Sequence, residues 1–126
     1  MWYPTTEQVL IFHGKLIAHT GGSEGVRSVP LIESALNRFH ASFGGEELYP
    51  SIEEKAAATA CGLVQNHGFI DGNKRIGAAV LLLILKMNKV ALQYTQQELI
   101  DIILDIACSK ADVAELVSWI HSHRSV

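Results

Sequence analysis

The sequence predicts an all-α fold: a single domain over residues 1–126, with six helices around a central buried helix at about 73–88. Three observations predict it. Apolar residues recur at intervals of three and four along most of the chain, the spacing of one helical face. Hydroxyl residues and a proline stand where helices would begin, and glycines where a helix would break. The 126 residues are 48% hydrophobic and 18% charged, enough apolar material for one core.

Taken in order, Val9, Phe12 and Leu16 share a face and predict a first helix from about Thr6 to Thr20. The run Gly21-Gly22-Ser23-Glu24-Gly25 breaks it. Pro30 suits the first turn of a second helix, whose face is Leu31, Ala35, Leu36 and Phe39. Residues 43–50, Phe43 to Pro50, read as a turn or short hairpin. Ser51 and Glu54 form a capping box that opens a third helix running to about Asn66. Its alanines, Ala56, Ala57, Ala58 and Ala60, make it slim enough for close packing. The fourth helix, about Asn73 to Asn88, is apolar nearly all round and is expected at the centre. Val90 to Leu92 suit a short extended piece. Thr95 and Glu98 cap a fifth helix bearing Leu99, Ile102, Ile103 and Ile106. A sixth is expected to start at Ser109 and to bury Val113, Leu116, Val117 and Ile120, with Trp119 packing beside them.

Charge and hydropathy exclude several functions. The net charge is −3 and no basic stripe is present, which argues against direct nucleic-acid binding. The longest apolar run, Ile76 to Leu85, is far short of the ~20 residues a membrane span needs. Met1-Trp2-Tyr3-Pro4 shows no secretion pattern, so a cytoplasmic protein is expected. Cys61 and Cys108 have no CxxC spacing and lie among apolar residues; both are expected as buried free thiols in a reducing compartment.

The chemistry concentrates in residues 67–75, His-Gly-Phe-Ile-Asp-Gly-Asn-Lys-Arg. This polar loop feeds straight into the fourth helix, whose N-terminal amides and dipole suit an anion. His67, with an ordinary pKa near ~6.5, can take a proton from a hydroxyl. Phe69 is expected to anchor the loop on the core. Asp71 offers a hard oxygen to Mg²⁺, an ion that commonly bridges one or two carboxylates to phosphates. Gly72 permits a turn with a phosphate close to the main chain. Asn73 suits an N-cap or a phosphate donor, and Lys74 and Arg75 supply cations for phosphoryl oxygens. Singly, each residue type is common in turns and caps; together they suggest phosphate chemistry. The segment is not a P-loop, since Gly68 and Gly72 are too close and no Ser or Thr follows Lys74.

HGFIDGNKR resembles the HxFx(D/E)(G/A)N(G/K)R signature of the Fic/Doc superfamily, and Lys74 resembles its death-on-curing (Doc) toxins. GGSEGVRS at 21–28, FGGEELYP at 43–50 and the apolar helix after Arg75 extend the likeness over nearly the whole chain. The resemblance implies an all-α fold and transfer of part of a nucleoside triphosphate to a protein hydroxyl. For the Doc type it implies transfer of the γ-phosphate of ATP to translation elongation factor Tu, which inhibits translation, by the toxin of a type II toxin–antitoxin system. It casts His67 as the catalytic base and Asp71 as the Mg²⁺ ligand. Gly72, Asn73, Lys74 and Arg75 become the nucleotide-phosphate contacts, and residues 43–50 a flap that aligns the target. It also implies a cognate, inhibitory Phd-like antitoxin with a segment that folds into a groove on the toxin. The alternatives are a Fic-type AMP-transferase and a catalytically silent protein-binding module.

This chain departs from the wider family pattern. Lys74 replaces a glycine and Ala78 a second arginine, which disfavours AMP transfer; Gly68 replaces a common proline and is expected to loosen the loop. Thr20 to Gly25 fits an (S/T)xxxE(G/N) inhibitory pattern that belongs on a helix, but two adjacent glycines oppose a helix there. His121 and His123 read as solvated helix-end residues, and Arg27 as one side of a salt bridge.

Overall fold

Among the described residues, five of the six α-helices begin where a side chain accepts a hydrogen bond from the first turn. Thr5 caps α1 (Thr6–Thr20), Ser28 caps α2 (Val29–Asn37), Ser51 caps α3 (Ile52–Asn66), Thr95 caps α5 (Gln96–Ala107) and Asp112 caps α6 (Val113–Ser122). The exception is α4 (Asn73–Met87), which starts on Gly72 without a side-chain cap. The computed structural model describes residues 1–125. After α2 a 3₁₀ turn, Arg38–His40, leads into an antiparallel hairpin of β1 (Ser42–Phe43) and β2 (Glu46–Glu47). The all-α reading holds, and 43–50 contains the turn of this hairpin.

Alanine-rich α3 shares the axis with α4. Eleven of its fifteen residues are buried, including all those from Lys55 to Val64. It packs against α2, α4, α5 and α6, whereas α4 buries one face, Ile76, Gly77, Val80, Leu81, Ile84 and Leu85. The slim alanine surface lets neighbouring helices close in on several sides.

Sixth-helix onset differs from the expectation. Ser109 has a left-handed backbone (φ 60°) and closes α5, with the Lys110 N–H donating to the Asp105 carbonyl at 2.7 Å. Asp112 takes the capping role because its carboxylate accepts from the Glu115 N–H at 2.9 Å. Leu92 pairs with Arg124 as an isolated bridge, so the 90–92 segment is extended as expected.

Lys55, 3% exposed, donates to the Phe39 carbonyl at 3.0 Å and to Glu47 at 2.9 Å. It thereby ties the hairpin to the N-terminal end of α3, roughly 18 Å along that helix from residue 67 at 1.5 Å per residue.

His123 is not a solvated end. It stacks on Trp119, its Nδ1 donates to the Trp119 carbonyl at 2.7 Å, and its Nε2 meets Glu98 at 2.9 Å. Both ring nitrogens face acceptors, so the imidazolium is favoured and the pKa of His123 is raised, the Glu98 bond being the main cause. The same bond, with the hydrogen bonds to Thr95 behind it, pulls Glu98 from 4.5 down to about 2. The lowered carboxylate contributes fully above pH 4.5 and loses its contribution as pH falls through about 2. The raised imidazole contributes fully below pH 6.5 and loses its contribution as pH climbs past its folded value. The pair therefore acts in full between pH 4.5 and 6.5. Thermal melts of Glu98→Gln are expected to lie below wild type in that window and to converge toward it at alkaline pH; parallel curves would contradict the pairing. No helix among the described residues is long and apolar enough to cross a membrane.

Candidate active site

The loop from α3 to α4 is held by backbone pairing on one side and by α1 on the other. His67 ends α3 in the left-handed conformation (φ 53°, ψ 46°), and the residue is exposed. A non-glycine residue there costs roughly 1–2 kcal/mol. Gly68 to Ile70 then run antiparallel to Gly25–Ser28. The Arg27 and Ser28 amides donate to the Gly68 carbonyl at 2.8 and 3.0 Å, and the Ile70 amide donates to the Gly25 carbonyl at 3.1 Å. Gly68 does not loosen the loop as expected: it is buried and paired, and a Cβ there would lie 2.5 Å from Ile32 Cγ1.

Phe69 is the anchor, 1% exposed and stacked on the buried His13 ring with centroids 3.7 Å apart. His13 Nε2 donates to the Asp71 carbonyl at 2.7 Å, so that nitrogen carries the proton. Asn73 is not the N-cap, and its side-chain NH₂ commits one of its two N–H groups. Its amide donates to the Phe69 carbonyl and its side-chain oxygen accepts from the Phe69 N–H, both at 3.0 Å. The N-cap is Gly72 (φ 78°), whose own N–H is taken by Asp71 at 2.7 Å.

The Asp71 carboxylate accepts from the Ser23 amide at 3.0 Å and lies 3.6 Å from Arg75 Nη2. These contacts, the Ser23 amide foremost and then Gly72, hold its pKa below the ordinary carboxylate value. It is therefore ionised at neutral pH. Arg75 Nη1 reaches the Thr20 hydroxyl and the Gly21 carbonyl. Lys74 is exposed and joins no salt bridge among the described residues. Nor does any described residue accept from the amides of Asn73, Lys74 and Arg75, the open first turn of α4.

All six residues singled out from the sequence, His67, Asp71, Gly72, Asn73, Lys74 and Arg75, line one cavity of about 510 Å³. Val64 and Ile70 add apolar wall, and Ala107 and Cys108 face the site from the end of α5. Only Cys61 is a buried thiol, its pKa pushed up to about 11 by burial; Cys108 is exposed, because it follows the last turn of α5. Hairpin residues do not line this cavity. A second, mostly apolar groove of about 460 Å³ runs between α1, α4 and α5, and Lys74 and Arg75 belong to both spaces.

No group of three His, Cys, Asp or Glu side chains gathers for a metal among the described residues. A single ionised carboxylate fits a hard cation that takes its other oxygens from water and phosphate. The cavity thus offers an exposed imidazole, one carboxylate, three open amides and two cations. Such a set can bind a polyphosphate and take a proton from an attacking hydroxyl. Sequence reading missed His13, Thr20 and Ser23, which brace the loop from α1 and the turn after it.

Comparison with known proteins gives two matches. The model of the Fic/DOC family matches residues 3–85. A protein named Toxin Doc from Mycolicibacterium smegmatis is 39% identical over 72 residues, covering 57% of this chain. The match spans about half, 55%, of that relative's length.

Proposed function

The chain belongs to the Fic/DOC family, and from that membership we propose that it is a toxin that transfers the γ-phosphate of ATP to a hydroxyl of a protein target. The carrying observation is the meeting of His67, Asp71, Lys74, Arg75 and the open amides of α4 in one cavity. The target proposed is translation elongation factor Tu, and the consequence is arrest of translation in the cytoplasm.

In this reading His67 takes the proton of the attacking hydroxyl. The oxygen forms a bond to the γ-phosphorus as the bond to the β-phosphate oxygen breaks, and ADP leaves. Lys74, Arg75 and the α4 amides hold the phosphoryl oxygens, where fixed donors count most because charge moves during transfer. Asp71 would hold Mg²⁺, which when bound neutralises charge across the phosphates. Lys74 adds bulk and charge where AMP-transferring relatives have glycine. Ala78, where those relatives have a second arginine, lines the apolar groove rather than the phosphate cavity and offers no cation to a nucleotide. Both features favour γ-phosphate over AMP transfer.

The groove between α1, α4 and α5 suits the apolar face of a helical antitoxin segment, of the Phd-like kind, with an acidic group near Lys74 and Arg75. A lysate supplied with ATP labelled on the γ- or the α-phosphate tests the chemistry. We expect a protein band labelled only from the γ position and absent with His67→Ala. Label from the α position would move the protein to AMP transfer, and no label at all would leave a binding module.

A further inference from the structure

The Arg75 guanidinium is held by the end of α1 and the first residue after it. Arg75 Nη1 has two N–H groups. One meets the Thr20 hydroxyl at 2.5 Å and the other the Gly21 carbonyl at 2.7 Å. Thr20 Oγ1 donates its single proton to the Leu16 carbonyl at 2.7 Å, so toward Arg75 it can only accept. The polarity of the contact is thus set by the last turn of α1. The nitrogens Nε and Nη2 remain, apart from the 3.6 Å approach of Nη2 to Asp71.

The turn that follows is fitted to the same two side chains. Gly22 has φ 116°, and a Cβ on it would lie 2.5 Å from Asp71 Oδ2 and 2.9 Å from Arg75 Nη2. One residue on, the Ser23 amide binds that carboxylate at 3.0 Å. Thr20 to Ser23 therefore abut the proposed metal ligand and the proposed phosphate clamp together. The Thr20–Gly25 stretch that fitted a helical inhibitory pattern leaves the helix after Thr20, and Gly21 to Gly25 form a non-helical platform under the site.

We infer that Thr20 is a positioning residue of the transfer site, its hydroxyl fixing the Arg75 guanidinium so that the unused N–H groups are ready for nucleotide phosphate. The inference rests on the phosphotransfer reading above. A free arginine loses much rotamer freedom when it binds an anion, and a guanidinium held in advance loses less. Thr20→Val keeps the shape and removes the acceptor; Thr20→Ser keeps the acceptor.

The test uses His67→Ala protein, which does not turn ATP over, titrated calorimetrically with ATP and Mg²⁺. Adding Thr20→Val is expected to weaken ATP binding roughly three- to tenfold, and Thr20→Ser to restore it. In protein with His67 intact, the KM for ATP should rise by a similar factor while the KM for the protein target stays put. Unchanged ATP affinity in folded Thr20→Val overturns the inference. So does a loss that serine fails to restore, because packing of the methyl would then be responsible. If the His67→Ala parent itself binds no nucleotide, the phosphotransfer reading falls, and this inference with it.

Discussion

Replacing His67 by alanine is expected to cut transfer to the protein target by about 10²–10⁴-fold, the range for loss of a general base, and to relieve growth arrest. The fold should survive, because His67 is an exposed cap at the end of α3. Its left-handed backbone (φ 53°) separates function from structure further. Alanine suffers the same conformational penalty as histidine, so its melting temperature should match wild type. Glycine does not, and His67→Gly should be more stable by about 1 kcal/mol while equally inactive. A residue that costs stability where glycine would relieve it is the pattern expected of a position kept for chemistry. Growth assays of cells expressing each variant, with melts of the purified proteins, check both parts. Persistent toxicity from folded His67→Ala protein would show that another group takes the proton.

The largest effect on stability is expected at Phe69. Its ring is 1% exposed and lies flat on His13, and its main chain is clamped at both N–H and carbonyl by Asn73. Truncation to alanine removes a buried ring and leaves a cavity, which costs about 3–5 kcal/mol, a large share of the ~5–15 kcal/mol that holds a domain folded. His13 also donates to the Asp71 carbonyl, so losing the ring that it stacks on should loosen Asp71 and lower activity even where the variant is folded. Urea unfolding measures the first effect. Phe69→Leu should fall between, since it fills part of the space. A cost below about 1 kcal/mol for Phe69→Ala would contradict the anchor role.

Much of the fold was legible because its signals are local. Ser51 and Thr95, read as caps, do cap the helices that follow them, and apolar spacing marks the buried faces. The centrality of α3 was harder to see, because alanines bury closely but add little apolar contrast between faces. Ser109 and Asp112 are both good N-cap types, and the choice falls to Asp112 because Ser109 is taken up in the left-handed closure of α5. Cys108 was read from its apolar neighbours, yet the end of α5 leaves it facing solvent.

The site divides in the same way. Its six proposed functional residues lie within nine positions and could be read as one motif. The residues that brace them could not. His13, Thr20 and Ser23 stand 58, 55 and 48 positions from the loop atoms they bind. Such pairings come from tertiary packing of α1 against α4 and leave no periodic trace. Asn73 shows the opposite case: an amide of a common capping type is drawn instead onto Phe69, four residues back.

The central claim is γ-phosphate transfer by this cavity. Intact-mass spectrometry of purified translation elongation factor Tu, incubated with this protein, ATP and Mg²⁺, tests it most directly, with His67→Ala as control. A phosphoryl adduct that vanishes with the control is the expected result; an AMP adduct, or an unmodified factor, would contradict it.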